Sequence, residues 1–189
     1  MRSVTPTAAL LAALALTPLA ACASMAPGAQ MMRATPGDFG EATLINGTGA
    51  RVGRAVFRQG ATGLLIRIEA TGLTPGWHGV HIHAVGECAA PFTSAGAHVN
   101  HGEPAARHGL LNAMGPDDGD LPNIHAAPDG SVNAEVFTTR ARIADAGPGQ
   151  WLWDADGSAI VIHANADDHT SQPIGGAGDR VACGVMAAG

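Results

Sequence analysis

The sequence predicts an all-β domain rich in loops, and three observations carry that prediction. Period-two patterns recur, as over 131–138, where Val132, Ala134 and Val136 alternate with polar neighbours. Turn dipeptides punctuate the apolar runs: Asn46-Gly47, Pro75-Gly76 and Asp129-Gly130. No window reads as a convincing amphipathic helix of useful length, and 26 glycines among 189 residues suit a sandwich or barrel.

The chain opens with Arg2 and then an Ala/Leu run of about ten residues, too short to span a bilayer comfortably. This start, with its small-residue end, predicts a secretory signal over 1–21. Leu19-Ala20-Ala21-Cys22 resembles a bacterial lipobox, which would make Cys22 the lipidated first residue of the mature chain. The alternative is an ordinary signal with an incidental cysteine. Residues 22–39, rich in Ala, Pro, Gly and Met, read as a flexible tether, and 40–189 as one folded domain.

Within that domain, strands are expected at 41–46, 51–58, 62–70, 79–85, 131–138, 158–163 and 181–186. Two long segments, 86–127 and 164–180, do not read as strands. They carry many of the histidines and acids, and long loops on a β scaffold usually carry function.

Ten Arg, no Lys and sixteen Asp plus Glu give a formal charge of −6. With no basic run, nucleic-acid binding is not expected. A membrane enters only through the Cys22 lipid. If Cys22 carries lipid, Cys88 and Cys183 remain, and in an exported protein such a pair favours a disulfide.

Histidine is the outlier, at nine residues. His81 and His83 lie two apart on an expected strand, so their side chains leave one face and can reach a single ion. His163 ends the apolar run Ala159-Ile-Val-Ile-His, where a buried imidazole must find a partner. A metal would satisfy all three.

The motifs Gly79-Val-His-Ile-His83, Cys88, Ser94-Ala-Gly-Ala-His98, His108-Gly, Gly119-Asp120-Leu-Pro, His163-Ala-Asn-Ala-Asp167-Asp168 and Gly178-Asp-Arg180-Val-Ala-Cys183 occur in that order. Together they resemble the copper–zinc superoxide dismutase family over about 40–187. The resemblance implies an eight-stranded Greek-key β-barrel or sandwich with two long functional loops. It implies copper on His81, His83, His98 and His163, with His98 bridging to zinc, and a Cys88–Cys183 disulfide. It also implies Arg180 beside the open copper position, and Asp167 accepting hydrogen bonds from His81 and His108.

The implied reaction is superoxide disproportionation to oxygen and hydrogen peroxide, with His98 as a proton donor, in the periplasm. Superoxide is then the substrate partner, and the chain a homodimer or a monomer. A periplasmic copper-binding or copper-buffering protein on the same fold, without turnover, is the alternative. Arg107 and Arg140 are further candidates for steering the anion. Of the remaining histidines, His78 is expected to point away from His81, and His125 and His169 to be structural or solvated.

The zinc side departs from the family pattern. His98, His108 and Asp120 match three zinc ligands, but Asp117 stands where the family has a histidine. Either Asp117 ligates through oxygen, another group such as His101 swings in, or the zinc site is weak or empty.

Overall fold

The structure, a computed structural model, describes Met1 and residues 38–189 apart from Glu103. The expected signal, Cys22 and nearly all of the tether lie outside the described residues. Among the described residues twelve strands follow in chain order: β1 (Phe39–Asn46), β2 (Arg51–Gln59), β3 (Leu64–Ala70), β4 (Gly76–His78), β5 (Val80–His83), β6 (Ile124–Ala126), β7 (Val132–Thr138), β8 (Ala141–Arg142), β9 (Gln150–Trp151), β10 (Ala159–His163), β11 (Arg180–Val185) and β12 (Ala187–Ala188). β1 begins at Phe39, one residue inside the expected tether, because Phe39 pairs with Arg58 of β2.

The main sheet is antiparallel and runs β5-β10-β11-β1-β2-β3-β7, with β12 also on β1. It curls into a half-barrel. β4 leads into β5 through Gly79 alone, pairs with β6, and β6 packs on β7, so this ribbon bridges the two open edges. The short strands β4, β6, β8, β9 and β12 escaped sequence reasoning. Two or three residues carry no periodicity, and the pairing of β4, β6 and β12 is decided by partners far along the chain.

Alternation explains which face each strand buries. In β3, Leu64, Ile66, Ile68 and Ala70 point inward while Arg67 is exposed. In β2, Ala55 and Phe57 point inward while Arg54 and Arg58 face solvent. Burying one such aliphatic or aromatic side chain contributes about 1.5–3 kcal/mol. β10 is buried at every position. Its inner face places Ile160 and Ile162 in the main core. Its outer face places Ala159 and Val161 in a second cluster with Phe92, Ala95 and Cys183.

That second cluster positions the site. The first long loop, between β5 and β6, folds over the outer face of β10 and β11. Its hydrophobic patch, Phe92 and Ala95, docks there, and the Cys88–Cys183 disulfide ties it to β11 across 95 residues of sequence.

Candidate metal centre

β5 supplies the floor. Val80 and Ile82 fill the core, so alternation sends His81 and His83 to the outer face. The first loop returns across that face. The Ile82 N–H donates to Gly119 O at 2.8 Å, and the Val99 N–H donates to Ile82 O at 2.9 Å. These bonds set His98 opposite His83 and Asp120 opposite His81. Gly119 must lack a side chain, since a Cβ there would lie 2.2 Å from Ile82 O. β10 pairs with β5 and ends at His163, whose N–H donates to Gly79 O at 2.9 Å.

Each of these four histidines has one ring nitrogen anchored and one free. His83 Nδ1 donates to Gly96 O and His163 Nδ1 to Gly178 O, both at 3.0 Å. His81 Nε2 lies 2.8 Å from Asp167 Oδ2, and His98 Nδ1 lies 3.2 Å from Asp117 Oδ2. The other nitrogens, His81 Nδ1, His83 Nε2, His98 Nε2 and His163 Nε2, are buried without a protein partner. Ligand atoms of these four residues lie within 4.8 Å of one another. Four buried lone pairs facing one another without a donor are costly, and a cation among them removes the cost. An all-imidazole set of this kind suits copper.

Electrostatics prepares this cluster for a metal. Burial, the largest cause in each case, pushes His81 down to about 3, His83 to about 2 and His163 to about 4. At neutral pH these rings are uncharged, the form a metal needs.

The adjoining cluster is acidic. Asp120 Oδ1 lies 2.6 Å from His108 Nδ1 and 3.4 Å from His98 Nδ1. Asp117 Oδ2 lies 3.2 Å from His98 Nδ1 and 4.0 Å from His108 Nδ1. A tetrahedral zinc with bonds of about 2.0–2.1 Å separates its ligand atoms by roughly 3.3 Å, and the His98–Asp117 and His98–Asp120 spacings match that. The group whose ligand atoms all lie within 4.8 Å of one another is His81, His98, His108 and Asp120, with Asp117 beside it. Burial pulls His108 down, but hydrogen bonds and charge from Asp120 and Asp167 outweigh it and lift His108 to about 10. Burial is likewise outweighed at His98, which Asp117 and Asp120 raise. Burial raises Asp117, whereas at Asp120 and Asp167 the histidine bonds overcome burial and hold the carboxyls well below the usual range.

Asp167 joins the two clusters, with Oδ2 2.8 Å from His81 Nε2 and Oδ1 3.2 Å from His108 Nε2. Gly175 makes room for it: φ is +60° there, and a Cβ would lie 1.6 Å from Asp167 Oδ1.

His169, expected to be solvated, instead belongs to this network. Its backbone N–H donates to Asp167 Oδ1 at 2.7 Å, and its Nδ1 lies 3.4 Å from Asp167 Oδ2. Asn123 Oδ1 accepts from the Asp167 N–H, which orients the amide so that Nδ2 faces His169 Nε2 at 3.2 Å. Only the fold reveals this, because 46 residues separate Asn123 from His169. His78 is also buried, with Nδ1 2.6 Å from His163 O. His101 is exposed and belongs to neither cluster, and His125 is exposed against the Trp77 ring.

Arg180, the first residue of β11, donates through its guanidinium to Phe92 O and, at 2.7 Å, to Gly96 O. It lines a cavity of about 600 Å³ with Pro91, Thr93 and Asp179. Its charge contributes to the lowered values of His83 and His163. Arg140 is 3.7 Å from Asp118 and so is already paired, while Arg107 is exposed.

The family model described as copper/zinc superoxide dismutase (SODC) matches residues 51–186. The chain belongs to the copper/zinc superoxide dismutase family. It is thereby an oxidoreductase of the superoxide dismutase class, and copper and zinc are the metals of that family. The Cu-Zn superoxide dismutase of Caulobacter vibrioides is 51% identical over 146 residues, covering 77% of this chain and 83% of that protein. A Cu-Zn superoxide dismutase of Aquifex aeolicus is 40% identical over 147 residues, covering 77% and 85%. Among solved structures, a superoxide dismutase-like protein of Bacillus subtilis superposes with a TM-score of 0.71 at 36% identity, covering 76% of this chain and 95% of that one. The Cu/Zn superoxide dismutase of Brucella abortus gives 0.63 at 28% identity, covering 78% and 98%.

Proposed function

We propose that this superoxide dismutase works outside the cytoplasm, with copper held by His81, His83, His98 and His163 and zinc by His98, His108, Asp117 and Asp120. The observation that carries the copper assignment is the set of four buried, partnerless ring nitrogens. Copper supplies the one-electron chemistry: one superoxide gives up an electron to become dioxygen, and a second takes that electron and two protons to become hydrogen peroxide.

The chain's own residues do the rest. Arg180 presents a fixed positive donor to an anion entering a second cavity, of about 430 Å³, that it lines with His98 and His108. His98 presents Nε2 to the copper set and Nδ1 to the acidic cluster, so it bridges the two. Its Nε2 is the atom that takes up and delivers a proton within the cycle. Asp117 and Asp120 raise the proton affinity of that ring, and Asp167 and the Gly96 and Gly178 carbonyls hold the other rings in orientation.

Export is supported by the signal-like residues 1–21 and by the Cys88–Cys183 disulfide, a bond that persists in oxidising compartments. Lipid on Cys22 would tether the domain to a membrane through 22–39.

A direct superoxide-consumption assay on metal-loaded protein tests the activity, with His163→Ala as the control. Consumption no faster than that of free copper would reject the proposal. Osmotic-shock fractionation with fatty-acid labelling of wild type and Cys22→Ala tests export and anchoring. Recovery of the unlabelled wild-type protein with the cytosol would reject both.

A further inference from the structure

We propose that Asp117 chelates the second metal through both carboxylate oxygens, so that the ion there is five-coordinate rather than tetrahedral. The proposal rests on the reading of Asp117 as a ligand and goes one step beyond it.

The two carboxylates of the cluster are placed differently. Asp120 spends one oxygen on the backbone: Oδ2 accepts the Gly109 N–H at 2.6 Å and the Asp117 N–H at 3.1 Å. Only Oδ1 faces the ring nitrogens of His108 and His98. Asp120 is therefore committed to one-oxygen ligation. Asp117 accepts no backbone N–H among the described hydrogen bonds. Its Oδ2 faces His98 and His108, and its Oδ1 is buried with no partner at all.

The side chain of Asp117 is 5% exposed, so water does not pay for that oxygen. A buried carboxylate oxygen without a donor is costly, and a cation that meets it removes the cost. Both oxygens sit on one carbon, so an ion bound by Oδ2 is within reach of Oδ1 by a small rotation of the carboxylate. A histidine at this position offers one donor atom, an aspartate two. With His98 Nδ1, His108 Nδ1 and Asp120 Oδ1, a chelating Asp117 gives two nitrogens and three oxygens. Zinc accepts five ligands, and an oxygen-rich set of this kind also accepts cobalt.

The test loads Co(II) into the second site with Cu(I) in the first, since Cu(I) is colourless and diamagnetic. Five-coordinate Co(II) absorbs visible light several-fold more weakly than tetrahedral Co(II). The expected result is a weak wild-type band, a several-fold stronger band in Asp117→His, and no response of the wild type to azide. A wild-type band as strong as that of Asp117→His overturns the proposal while leaving Asp117 a ligand. A weak band that azide shifts also overturns it, because an exchangeable water then fills the fifth position. If Asp117→Ala binds Co(II) with the wild-type stoichiometry and spectrum, Asp117 is no ligand and both readings fall together. Should Asp117→His not take up cobalt, the zinc X-ray absorption first shell of the wild type decides: five N/O neighbours are expected, and four overturn the proposal.

Discussion

The two halves of the metal centre share His98 and Asp167 yet are built on opposite principles. The proposed copper half is three strand-borne imidazoles whose pKa values are lowered by burial, His81, His83 and His163, with the loop-borne His98, and backbone carbonyls anchor His83 and His163. The zinc half lies on the first loop, and its histidines are paired with carboxylates. The first is set by the sheet and burial, the second by charge compensation. A sheet-borne site tolerates no change of ligand, because each ring fills a fixed place. A loop-borne site is freer to take Asp117 in a histidine's place, as proposed above.

The largest expected effect strikes the copper half. His163→Ala removes a ligand that no neighbour can replace, and superoxide consumption should fall to the level of the metal-free blank. If it keeps a substantial fraction of activity, the four-histidine set is not the working site.

Next comes the covalent tie that holds the first loop to β11. Replacing Cys88 and Cys183 together by serine should cost about 4–5 kcal/mol, if the chain-entropy account applies to a 95-residue span. For a domain of this size that is roughly a 10–15 °C drop in melting temperature, measurable by calorimetry. A drop of only a degree or two would show that the Phe92 and Ala95 patch anchors the loop without the bond.

Acid should separate the halves. Protons compete with a metal only below the ligand's own pKa. His108 is raised to about 10, whereas His81, His83 and His163 are lowered to about 3, 2 and 4. Zinc should therefore leave at higher pH than copper, as read by metal analysis after dialysis across pH 7 to 3. The metal-free protein carries the same opposition. For the three lowered histidines the unfolded chain binds protons that the folded chain refuses, so stability is lost as pH falls below 6.5 toward their folded values. The His108 contribution runs the other way: it is fully present below 6.5 and lost as pH rises through about 10. Simultaneous release of both metals would remove the contrast.

The smallest effect belongs to His169. It touches neither metal set directly but faces Asp167, which orients one ring of each. His169→Phe should weaken the two metal affinities together, by about tenfold or less, because it removes the ring nitrogen that meets Asn123, the side chain that holds the Asp167 backbone. An unequal loss, measured by competition with chelators, would assign Asp167 to one half rather than to both.

Much of the fold was legible because period two is a local signal. The strands expected at 41–46, 51–58, 62–70, 79–85, 131–138, 158–163 and 181–186 announce themselves by alternation or by apolar runs bounded by turns, and each overlaps a strand of the structure. β4 and β6 do not, because Trp77 and His125 gain their pairing from each other across 48 residues of chain, and β8 and β9 are two residues each. His81 and His83 were legible as a pair from spacing alone. His163 was legible from its place at the end of an apolar run, whereas His98 and His108 became legible only through the ordered motifs of a family. The role of His169 was not legible at all, since it depends on the orientation of Asn123.

By itself the sequence determined the all-β class, the shared face of His81 and His83, the cysteine pair and the aspartate in a histidine's place. Each is a matter of neighbour spacing or residue identity, which chain order records. The tertiary structure decided which ring nitrogens are free, that Asp120 spends one oxygen on backbone N–H groups while Asp117 keeps both, and that Asp167 serves both halves. Those outcomes depend on distances between segments tens of residues apart, which only packing and strand register set.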